Sequence, residues 1–150
     1  MKKRFLTIIG LAACCLLLSA SAFAAGSACT LTAEGKPGNV SVYTWAWLSD
    51  DTSGAVTCTA KAAHGYVIRV VTVPDGTAAP TADYDITISD QDGADVMGGA
   101  LTDRSATVGE QAVPLAGAAP VSMLVSGTLT VAVTAAGNEK EGEVVLYLQR

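Results

Sequence analysis

The sequence predicts an all-β fold: a single antiparallel β-sandwich, Ig-like or jelly-roll-like, of about eight strands. Three observations predict it. Apolar and polar residues alternate with period two in several separate runs after residue 25, clusters of Gly, Pro, Asn and Asp punctuate those runs, and no stretch there repeats its apolar residues at helical spacing. Composition agrees, because only 15% of the 150 residues are charged and the Lys/Glu-rich faces of surface helices are missing.

The first residues read differently. Lys2-Lys3-Arg4 is a positive n-region, Phe5 to Leu18 is an apolar run, and Ser19-Ala20-Ser21-Ala22-Phe23-Ala24 ends in the small-x-small pattern of a processing site. The expectation is a signal peptide over residues 1–24, cleaved after Ala24; an uncleaved anchor fits less well because the apolar run is short for a spanning helix. Leu11-Ala12-Ala13-Cys14 also matches a lipobox, but cleavage there would leave the apolar Cys15-Leu16-Leu17-Leu18 at the mature N-terminus.

Residues 25–150 then form one domain, long enough to bury a core. Lys2, Lys3 and Arg4 leave with the signal, so six of the nine basic residues remain against all fourteen acidic ones, a net charge of −8. That balance disfavours nucleic acid and anionic membrane surfaces as partners, and no membrane insertion of the mature chain is expected. The expected location is outside the cytoplasm, periplasmic or extracellular. Cys29 and Cys58 survive processing, and an even pair in an oxidising compartment favours a disulfide over two unpaired thiols. Zinc is disfavoured, since His64 is the only histidine and no CxxC spacing occurs.

The strands follow in order. Cys29 to Ala33 reads as an edge strand before the Lys36-Pro37-Gly38 break. Val40 to Leu48 alternates so that Tyr43, Trp45 and Trp47 share one face and Val40, Val42, Thr44 and Leu48 the other. Ser49 to Gly54 is a turn, Ala55 to Lys61 a strand, and His64-Gly65 a break. Tyr66 to Val73 is almost continuously apolar, the pattern of a central strand covered on both faces. Tyr84, Ile86 and Ile88 alternate with Asp85, Thr87 and Ser89, and Gln91-Asp92-Gly93 then supplies turn chemistry before Val96-Met97, which reads as a hairpin. The chain ends in a second expected hairpin: Leu129, Val131 and Val133, a turn over Ala136 to Gly142, then Val144, Leu146 and Leu148.

Candidate chemistry is sparse. The aromatic ridge Tyr43, Trp45 and Trp47 can serve as a carbohydrate platform or as core. Asp90, Asp92 and Asp95 place three carboxylates in one turn, which suits calcium, although Gly93 falls too early for an EF-hand loop and no Glu closes it; Asp and Gly also favour such turns for backbone reasons alone. His64 has no Gly-x-Ser-x-Gly elbow beside it, and no phosphate-cradling Gly loop followed by Lys-Ser/Thr is present. No catalytic residue is assigned, no cofactor beyond calcium is considered, and an enzyme is not expected.

The text Tyr66 to Gly76, Ala79 to Ile88 and Asp90 to Gly99, together with Gly127-Thr128-Leu129-Thr130-Val131 and Val144 to Leu148, resembles small uncharacterised proteins encoded among phage and prophage virion-structure genes. The resemblance spans residues 65–148 and implies an all-β structural or accessory module with no catalytic residues to carry over. Those proteins as a rule lack export signals, whereas this chain carries one, so the expectation is an exported relative of that fold. The function expected is therefore that of an exported, non-enzymatic β module acting through a protein partner or self-assembly. The alternative is a carbohydrate- or calcium-binding module.

Overall fold

The computed structural model describes residues 26–150, so the expected signal peptide over 1–24 and the Cys14 lipobox lie outside the described residues. Ten strands follow in chain order: β1 (Ala28–Gly35), β2 (Val40–Leu48), β3 (Val56–Thr57), β4 (Lys61–Pro74), β5 (Asp85–Ser89), β6 (Glu110–Ala112), β7 (Leu115–Ala116), β8 (Ala119–Pro120), β9 (Met123–Thr134) and β10 (Glu141–Gln149). The architecture is all-β and antiparallel, as the alternation predicts. Eight strands join in one hydrogen-bonded sheet of order β1-β2-β10-β4-β9-β3, with β5 also on β9 and β6 also on β4; β7 and β8 form a separate small ribbon.

One sheet must find something to cover its apolar face. Here it curls, so that its own strands cover one another. Tyr43, Trp45 and Trp47 point inward from β2, Val144, Leu146 and Leu148 from β10, and Val125, Leu129, Val131 and Val133 from β9, all buried in one cluster. Tyr84, Ile86 and Ile88 join them, while Thr87 faces solvent and Gln91 to Gly93 form an exposed turn. Each large apolar side chain so buried contributes roughly 1.5–3 kcal/mol.

Long strands make the curl. β9 pairs with β4 through Met123–Leu129 and then with β5 and β3 through Thr130–Thr134, so its two halves serve two differently directed parts of the sheet. β4 changes partners likewise. Its register to β10 slips between Val67 and Arg69, leaving Ile68 as an extra residue. Val67 and Val70 are therefore both inward, three residues apart instead of two, and the strand bends where a bulge adds twist.

Several sequence expectations are corrected. His64-Gly65 does not break the chain: both lie inside the fourteen-residue β4, and Gly65 takes φ 139°, where an added Cβ would strike the Gln149 carbonyl oxygen. A glycine marks a tight backbone approach here, and in sequence that looks like a strand end. The continuous apolar run of Tyr66 to Val73 does not mean two covered faces, since the bulge alone shifts the phase and Tyr66 is 50% exposed.

The other correction concerns pairing. β9 and β10 are not a hairpin, because β4 lies between them and each pairs with it. Likewise Val96-Met97 is no partner strand for β5. Beyond the bridge Ser89–Asp95, the chain hydrogen-bonds to β5 only at intervals, Val96 N–H to Ile88 O and Ile86 N–H to Leu101 O, while Val96, Met97 and Leu101 plug the core.

Gly142 shows how closely the interior is filled. It sits opposite Trp47 across β2–β10, and an added Cβ would lie 2.6 Å from the indole and 2.9 Å from the Val73 carbonyl. Gly142→Ala is expected to lower stability by about 1–3 kcal/mol, with the urea midpoint falling at an unchanged m-value. Gly76→Ala, whose Cβ would meet nothing within 4 Å, is expected to be close to neutral.

Candidate functional site

Curling leaves a seam. Among the described residues no strand ladder joins β1 to β3 or β4, so the sheet closes there without backbone hydrogen bonds. Side chains close it instead. Cys29 on β1 and Cys58 after β3 are bonded as a disulfide with their Cα atoms 4.7 Å apart, and further along Lys61 Nζ donates to Glu34 Oε2 at 2.7 Å. The Lys61 ammonium also stands 5.8 Å from the centre of the Tyr43 ring. The Lys61 bond holds the Glu34 carboxyl below its ordinary range, with Lys36 and Arg150 adding smaller effects, and Glu34 in turn raises the Lys61 amine.

Beyond that ion pair the seam widens into an open cleft of about 730 Å³. Its floor is Ala63, Gly65 and the Tyr43 ring, and its apolar walls are Tyr66 and Leu124, cross-strand partners that are 50% and 54% exposed. Lys36, His64 and Arg150 stand at the rim with Glu34. Gln91 and Thr128 complete the opposite side. The volume falls in the range of small-molecule and peptide sites. A second depression of about 500 Å³ lies on the outer face, where Ile68, Val113 and Leu115 are brought together over Ala100 and Ala112.

The residues singled out from sequence fall in other places. Tyr43, Trp45 and Trp47 do share a face, but it is the inner one, at 4%, 1% and 3% exposure. Trp45 packs 5.9 Å from Tyr43 and Trp47 5.8 Å from Tyr84, centre to centre, so the ridge is core and only the Tyr43 ring reaches the cleft. Of the two readings of the ridge, burial fits the core, because a stacked ligand needs the face that the core occupies.

Asp90, Asp92 and Asp95 share a loop, yet their carboxylates are not drawn together. Asp90 Oδ1 accepts from the Asp92 and Ala94 N–H groups, and Asp95 accepts from Met97 N–H and Gly99 N–H. The carboxylates hold the turn's own backbone, as the turn preference of Asp implies. Among the described residues no group of three or more His, Cys, Asp or Glu side chains is placed to hold a metal. His64 sits on the outer face of β4, its Nδ1 3.3 Å from Ser126 Oγ.

Sequence reading missed the cleft. Lys36, Tyr66, Leu124 and Arg150 are far apart in the chain and belong to no motif; only the crossing of β4 and β9 beside β1 assembles them. No protein-family model matches the chain, and no curated protein matches it.

At the far end of the sheet, Asp50 caps the Ser49 to Gly54 turn. Hydrogen bonds from the Ser53 hydroxyl and from the Ser53 and Thr52 N–H groups lower its carboxyl from 3.8 to about 2. A lowered folded-state value means the stabilisation is complete above the ordinary carboxylate range and is lost as pH falls through about 2. An NMR titration is expected to place the Asp50 midpoint near 2, and Asp50→Asn is expected to remove that acid dependence. The seam gives a second expectation. Replacing Cys29 and Cys58 by Ser is expected to cost about 3–4 kcal/mol of stability for a loop of this size, read from urea denaturation.

Proposed function

We propose that this protein is an exported, non-enzymatic structural or accessory module that acts through protein–protein contacts. The observation that carries the reading is the apolar surface the curled sheet leaves outside: Tyr66, Ile68, Val113 and Leu124 are all more than a third exposed around the junction of β4 and β9. Exposed apolar side chains in such depressions, rimmed by polar groups, are what interaction sites present.

Export is supported by the N-terminal pattern and by the Cys29–Cys58 bond, which persists in an oxidising compartment. No helix among the described residues is long and apolar enough to cross a membrane. The non-enzymatic reading draws on the site chemistry: His64 Nδ1 lies 3.3 Å from Ser126 Oγ, and the carboxylates of Asp90 and Asp95 accept from N–H groups of their own loop. The resemblance to virion-structure proteins points the same way. A carbohydrate or calcium module is the less supported reading, because Trp45 and Trp47 are buried and the three aspartates do not converge.

A photo-cross-linking side chain placed at Val113 or Leu124, in the cell that exports the protein, is expected to yield discrete protein adducts identifiable by mass. The same probe at Thr87, exposed midway along β5, is expected to yield none. Equal labelling from all three positions, or no protein adduct from any, would sink the reading.

A further inference from the structure

Charge is segregated along the strand direction. Glu139 N–H bonds to Asp50 O, Ser49 N–H to Lys140 O and Asp75 N–H to Glu141 O, so the loops holding Asp50, Asp51, Asp75, Glu139 and Glu141 meet at one end of the sheet. Lys140 is the one cation in those loops. The opposite end carries the cleft. There Lys36, Lys61 and Arg150 gather around Glu34, and Arg150 is tied to that end by its N–H to the Asn39 carbonyl. Asp90 and Asp92 flank Gln91 on the far wall, Asp90 with its carboxylate held by its own loop. β10 spans the distance: Glu141 and Arg150 are nine residues apart on one extended run, roughly 30 Å.

Three of the six cations of residues 26–150 therefore stand at the one opening whose walls are exposed Tyr66 and Leu124, in a domain of net charge −8. We infer that these ends are the two halves of one contact: the acidic loop end of one copy of this chain seats on the cleft of the next. The inference rests on the reading of the protein as a module that works through protein contacts, and it names the partner. Lys36 and Arg150 meet the carboxylates of Asp51 and Glu139, and Tyr66 and Leu124 lose their contact with water. Repulsion between the net charges is screened beyond about 8–10 Å at physiological ionic strength, whereas the facing groups lie inside that range. The two surfaces differ, so the contact is heterologous and leaves a free end on each side; copies add in an open row.

The test uses protein purified as the cell processes it, with two variants at positions that are exposed, or in the case of Asp51 half-buried. One carries Lys36→Glu and Arg150→Glu, which removes the cleft half; the other carries Asp51→Asn and Glu139→Gln, which removes the loop half without giving it charges that would suit the first variant's cleft. Sedimentation velocity is run at about 0.1 M salt. Unaltered protein is expected to rise at least twofold in average mass between roughly 10 µM and 1 mM, and to lose that rise in about 1 M salt. Each variant alone is expected to stay monomeric. Mixed in equal amounts they are expected to form a one-to-one dimer and nothing larger, because each supplies the half that the other lacks. Unaltered protein that stays monomeric throughout, variants that associate as well as it does, or a mixture that remains monomeric would each overturn the inference. If such a monomer still gives foreign-protein adducts through Val113 or Leu124, the head-to-tail contact fails and the broader reading of the protein stands; if it gives none, both fail.

Discussion

A single sheet has one apolar face and, in the absence of a second layer, must hide it against itself. That constraint orders the rest of this structure. The largest side chains, Trp45 and Trp47, sit on the inner face of β2, and Val144, Leu146 and Leu148 share that face on β10 beside it. To bring β9 and β5 over them, the sheet has to turn within strands rather than between them. The bulge at Ile68, the bent glycine at Gly65 and the two-part pairing of β9 are the means by which it does so.

Curling has a consequence at the place where the ends of the sheet come round to each other. β1 arrives beside β3 and β4 without a ladder to either, so backbone hydrogen bonds end and side-chain chemistry takes over. The covalent Cys29–Cys58 link holds the narrow part of the seam, and the Glu34–Lys61 pair, exposed and so worth little by itself, marks where it begins to open. The cleft is the part of the seam that the sheet does not close. Its mixed lining of aromatic wall and cationic rim follows from where β1, β4, β9 and Arg150 converge, while the loops that carry Asp50, Asp51, Asp75, Glu139 and Glu141 meet at the other end. Fold geometry and charge distribution are thus one fact seen twice, and the proposed head-to-tail contact draws on both.

Much of this was legible in residue order, and the limit has a physical cause. Period-two alternation reports which residues of a strand share a face, so the common face of Tyr43, Trp45 and Trp47 and the inward placement of Tyr84, Ile86 and Ile88 could be read directly, as could the fitness of Cys29 and Cys58 to pair. Alternation says nothing about which strand lies beside which. β9 and β10 are neighbours in sequence with a turn-rich link between them, yet the stable arrangement inserts β4, because β4 is long enough to serve β10 with one half and β9 with the other. Gly65 misled for a related reason: a glycine required by a close backbone approach has the same signature as one that ends a strand. The cleft was invisible because its residues are contributed singly by distant strands, whereas the Asp90 to Asp95 cluster was conspicuous and turned out to serve its own turn.

The Cys29–Cys58 bond closes the curled sheet at the β1 seam, and the interior depends on β2, β10, β4 and β9. Amide hydrogen exchange followed residue by residue, before and after selective reduction of that bond, tests it most directly. Reduction is expected to raise exchange in β1 and β3 while the amides of β10 and the central part of β4 keep their protection. Protection lost uniformly across the sheet, or β1 as protected in the reduced protein as in the oxidised one, would contradict it.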